Sequence, residues 1–76
     1  KLPISIQLNG KDYSLSLKFE KILNEIDLIS SFSIDSFNKD FIIYSVIFNG
    51  TPKKFINIME EKNFNFDTQN KIWILK

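Results

Sequence analysis

The sequence predicts an α+β fold with four strands and two helices in the order β-α-β-β-α-β, and three observations carry it. Ile4, Ile6 and Leu8 alternate with polar neighbours. Leu15, Phe19, Ile22, Leu23 and Ile26 fall at helical spacing. Gly50-Thr51-Pro52 sets a capping hydroxyl before a proline at a helix start. Seventy-six residues are read as one domain, 1–76, with no linker, repeat or low-complexity segment inside it. A chain of this size buries only about 60% of the surface its unfolded form exposes, so its core is thin. Eight phenylalanines suit that constraint, because large rings fill a small core efficiently.

The first strand, around Ile4, Ile6 and Leu8, ends in the turn chemistry of Asn9-Gly10. From Tyr13 two patterns compete. Tyr13, Leu15, Leu17 and Phe19 alternate, as in the second arm of a hairpin. The helical stripe from Leu15 to Ile26 is longer, with Lys18, Glu20, Lys21, Asn24 and Glu25 opposite it. A helix from about Asp12 to Asp27 is therefore expected, capped by Asp12 or Ser14. A second strand runs through Phe32 and Ile34. Asn38-Lys39-Asp40 makes a tight turn, and a third strand spans Phe41 to Phe48. Thr51 then caps a second helix whose face carries Phe55, Ile58, Met59 and Lys62, with Asn63 as its stop. Phe64 and Phe66 lead into a polar turn, Asp67 to Asn70, before a last strand, Ile72 to Leu75. Two crossovers joined by a hairpin give a ferredoxin-like arrangement, a four-stranded antiparallel sheet with both helices on one face. If Tyr13 to Leu17 were a strand instead, the domain would open with a hairpin, like a β-grasp variant.

Composition removes whole classes of chemistry. Without cysteine there is no disulfide and no thiolate; without histidine the usual general base and commonest metal ligand are missing. No arginine is present for bidentate recognition of phosphate. The serines lack the histidine that normally activates them, so no catalytic residue, cofactor site or metal site is expected, and the chain is read as non-enzymatic. The net charge is +1 and the lysines are interspersed with carboxylates, which offers no basic surface to nucleic acid. An RNA-recognition surface is further disfavoured because Ser5 and Gln7, not aromatics, occupy the open side of the first strand. No apolar run approaches the roughly 20 residues that span a bilayer. The chain starts at Lys1, which is read as the mark of a fragment or a processed product.

One surface is expected to work. If Ile42, Tyr44, Val46 and Phe48 face the helices, then Phe41, Ile43 and Ile47 stand on the open sheet face, interrupted by Ser45. Either Ile72 and Ile74 or Trp73 and Leu75 join them. Such a patch predicts a protein interface, either a weak homodimer or a contact with another domain of the parent chain. A small-ligand sensor binding at the sheet is the alternative.

The spacing of the whole chain resembles a known pattern. An apolar strand ends in Gly10, Asp12-Tyr13 opens a helix containing Leu23 and Ile26, and an apolar third strand runs into Gly50-Thr51-Pro52 with Phe55, Ile58 and Met59. It looks like the C-terminal module of an uncharacterised family of Gram-negative bacterial envelope proteins, a domain of unknown function. That resemblance implies an exported protein of the periplasm or envelope. It supplies no site residues.

Overall fold

A computed structural model describes residues 1–76. The elements are β1 (Leu2–Asn9), α1 (Tyr13–Glu25), β2 (Ile29–Phe37), β3 (Phe41–Phe48), α2 (Pro52–Glu61), β4 (Phe66–Asp67) and β5 (Ile72–Leu75). They form one sheet in the order β2-β3-β1-β5-β4. Helix, not strand, follows the first turn. Asp12 caps α1 by accepting the Leu15 amide at 3.0 Å and the Ser14 hydroxyl at 2.7 Å. Gly10 stands against the β2–β3 turn, its amide 3.0 Å from the Asp40 carbonyl. A Cβ there would lie 2.8 Å from the Phe41 nitrogen, so only glycine fits the approach without a backbone shift.

The second helix begins as the sequence predicts. Thr51 accepts the Lys54 amide at 3.2 Å and Pro52 occupies the first helical position. It stops at Asn63, the one non-glycine residue with positive φ. The Asn63 amide reaches the Glu60 carbonyl at 3.0 Å and the Phe64 amide reaches the Met59 carbonyl at 2.9 Å, a Schellman closure. Phe64, buried just past the stop, supplies the hydrophobic contact that usually accompanies it.

The expected four-stranded antiparallel sheet is corrected to a five-stranded mixed one. The neighbours β2-β3-β1 and the place of Ile72–Leu75 beside β1 agree with the ferredoxin-like order, but β5 runs parallel to β1. The strand that completes the α2 crossover is β4, which lies one place further out and pairs antiparallel with β5. Phe66 and Asp67, read from the sequence as a lead-in and a turn, are that strand. The physical cause is the Phe66 ring. It is buried 6.1 Å from Phe55 and 6.4 Å from both Phe19 and Trp73, so the chain is drawn into the sheet before it turns.

The core lies on one side of the sheet. Ile4, Ile6 and Leu8 of β1 and Tyr44, Val46 and Phe48 of β3 meet Phe19 and Leu23 of α1 and Phe55 and Met59 of α2 in a single cluster. Both helices therefore cover the same face. Ile42 packs against this cluster from its edge. Edge-to-face rings hold the centre, with Phe19 5.3 Å from Tyr44 and Phe48 5.2 Å from Phe55.

Candidate interaction surface

The strand registers decide which side chains share the helix-free face. Phe41 lies opposite Asn9, Ile43 opposite Gln7 and Ile47 opposite Pro3. None of these positions belongs to the core set, so Phe41, Ile43 and Ile47 stand together on the side away from the helices. All three are half-buried. On β5, Ile72 pairs with Ser5 and Ile74 with Gln7, while Trp73 pairs with the core residue Ile6. Ile72 and Ile74 thus join the open face and Trp73 lies among the core rings. The polar column of Ser5 and Gln7 separates the β3 stripe from the β5 pair. With five strands, β1 is the central one and β3 sits one strand in from the β2 edge.

A second apolar surface escaped the sequence reading. The four most exposed large apolar side chains are Phe37 (75%), Tyr13 (73%), Leu17 (52%) and Ile34 (48%). All lie on the helix side of the sheet. Ile29, Phe32, Ile34 and Phe37 pair with Phe48, Val46, Tyr44 and Ile42 respectively, which places them on the covered side of β2. They share that side because extra residues between Ile29 and Ser31 and between Ile34 and Ser36 shift the alternation. On α1, the buried stripe is Ser16, Phe19 and Leu23, and Tyr13, Leu17, Glu20 and Asn24 form one flank beside it. Glu20 meets Tyr44 of β3, and Asn24 lines a cleft of about 220 Å³ with Ile29 and Phe32 of β2. That flank faces the β2 edge. The helical register of Tyr13 and Leu17, offset from the Phe19 and Leu23 stripe, was the available signal.

The one buried polar constellation joins α1 to β3. The Tyr44 hydroxyl donates to the Glu20 carboxylate at 2.5 Å and lies 2.6 Å from the Ser16 oxygen. Since its own proton points to Glu20, the Ser16 hydroxyl is the donor in the second bond. Burial pushes the Tyr44 phenol up to about 12, and the bond to Glu20 adds to that rise while Ser16 opposes it. A phenol held neutral in this way joins a helix to the sheet.

Elsewhere the surface is shallow. A depression of about 440 Å³ follows the outer side of α2 past Lys53, Lys54, Asn57 and Glu61, with Ile58 its one apolar wall. The cleft beside Asn24 falls below the roughly 300–1,000 Å³ that encloses a small molecule. No three carboxylates come together as an ion site, and no helix is long and apolar enough to cross a membrane. No family model, curated protein or solved structure matches the chain. The likeness to envelope modules stands on spacing and punctuation alone.

Proposed function

We propose that this chain is a non-catalytic protein-interaction module whose helix-free sheet face receives an apolar surface of another protein domain or of a second copy. The observation that carries this reading is the stripe Phe41, Ile43 and Ile47, with Ile72 and Ile74 alongside, on a face that no element of the chain covers. Ile74 is exposed, the other four are half-buried, and each retains apolar area for a partner to cover. Complete burial of one such side chain is worth about 1.5–3 kcal/mol, so a few partial burials sum to a weak, reversible contact. A ligand sensor is less favoured, because the only cleft between elements is small.

The test is the solution mass of the wild type and of Ile43→Asp over a dilution series, with circular dichroism as the control for folding. Association that Ile43→Asp weakens while the spectrum is unchanged supports the face. An Ile43→Asp variant that unfolds shows that the stripe serves the fold. Association that is indifferent to Ile43→Asp removes the face as the contact for self-association.

A further inference from the structure

The two edges of the sheet differ in kind. At one end β4 has 2 residues, too few to template another strand. At the other end β2 has 9 residues and only β3 beside it, so its outer row of backbone N–H and C=O groups has no strand partner. Natural edges are commonly blunted by lysine or proline. The strand Ile29–Phe37 has neither, and Asp35 is its one charge. Its bulges are the only protective device, and they leave Ser31 to Ile34 as a regular run between them.

The order of residues in this strand is symmetric. Reading outward from Ser33 in both directions gives Phe32 and Ile34, Ser31 and Asp35, Ser30 and Ser36, then Ile29 and Phe37. Apolar positions mirror apolar ones and polar positions mirror polar ones. Two copies of β2 laid antiparallel about a two-fold axis through Ser33 therefore match apolar with apolar and polar with polar, with Ser30 and Asp35 the extra residues of the two bulges. Phe32 falls opposite Ile34 of the other copy and Ile29 opposite Phe37. Ser31 falls opposite Ser36 of the other copy, and Asp35 does not meet a second Asp35, so the register brings no like charges into direct opposition.

We infer that β2 pairs with β2 of a second copy in this register, joining two five-stranded sheets into one continuous sheet. Directly opposed residues of an antiparallel pair point to the same side. Both copies thus keep their helices on one side of the joined sheet. Tyr13 and Leu17 of each α1 then flank the seam, whose floor is Ile34 and Phe37 with their counterparts. These four are the most exposed apolar residues of the isolated chain, and the pairing gives all of them a common neighbour. The axis also makes the contact isologous, so it closes at a dimer. Ser33 stands at the β2 edge of the helix-free side and Ile43 one strand in from it, so Ile43→Asp, which leaves β2 unaltered, separates this contact from that of the helix-free face.

Charge reversal on the axis tests it. Ser33 is exposed and faces away from the helices, so Ser33→Lys and Ser33→Glu leave the core untouched. Each variant places like charges directly opposite in the dimer and is expected to weaken self-association several-fold by sedimentation equilibrium, while an equimolar mixture of the two regains it. Wild-type protein that stays monomeric at every concentration overturns the inference. So does a dimer indifferent to both Ser33 variants, and so does a dimer that Ile43→Asp disperses, since that contact belongs to the helix-free face. Growth beyond the dimer that persists in Ile43→Asp also overturns it.

Discussion

Tyr44 is where a single side chain couples packing to charge. Its ring fills the space beneath Phe19, and its hydroxyl satisfies both the buried Ser16 and the Glu20 carboxylate. Tyr44→Phe keeps the ring and strands the Ser16 hydroxyl, so it is expected to cost about 1–3 kcal/mol at neutral pH by denaturant titration. The pH dependence follows from the raised phenol. Below pH 10.0, its value when free, the group is protonated in both the folded and the unfolded chain and its contribution is complete. As pH rises toward about 12 the unfolded phenol ionises first, and stability falls. The wild type should therefore lose stability between these limits by roughly 1–2 kcal/mol more than Tyr44→Phe, a figure reduced because water screens Glu20. Lysines titrate in the same range, so the difference between the two proteins is the quantity to measure. Equal losses would show that the hydroxyl is not sealed as described. Ser16 and Tyr44 lie 28 residues apart, and nothing local in either segment announces the bond.

Among the elements, α2 was the most legible, because its signals are local. Thr51, Pro52 and Asn63 each act on backbone groups within a few residues, which is the range over which sequence patterns speak. Thr51→Ala should lower stability by about 1 kcal/mol through loss of the bond to the Lys54 amide, and Thr51→Ser should restore most of it. Thermal unfolding of the two variants decides this, and an Ala variant as stable as the wild type would assign the cap to Pro52 alone. The first helix was legible for a different reason: its apolar stripe outran the competing alternation, and Asp12 stood ready to cap it. Strand β2 was seen through Phe32 and Ile34, but its ends were not. The bulges beside Ser30 and Asp35 break the period that marks a strand, and pairing with β3 is what extends it from Ile29 to Phe37. The shortest element, β4, has no periodicity to detect at all.

At the scale of the molecule the decisive feature is the place of β5. It lies between β1 and β4, pairs with both and carries Trp73 into the core. Deleting residues 72–76 removes an interior strand, not an edge, and should abolish cooperative thermal unfolding. A truncated chain that still melts cooperatively would place β5 outside the folding unit. The same five-strand order makes β2 a long open edge and leaves one sheet face without helices, which is why both proposed contacts are properties of the assembled chain. The sequence by itself determined the two helices with their caps, the core residues of β1 and β3, and the residues Phe41, Ile43 and Ile47 that share the opposite face, because caps and side-chain periods are set by neighbours along the chain. Only the tertiary structure decided the direction of β5, the existence of β4, the choice of Ile72 and Ile74 over Trp73 and Leu75 for the open face, and the exposure of Ile34 and Phe37. Each depends on which distant strand supplies hydrogen bonds and which rings compete for one small core, and those are contests between segments that no local pattern encodes.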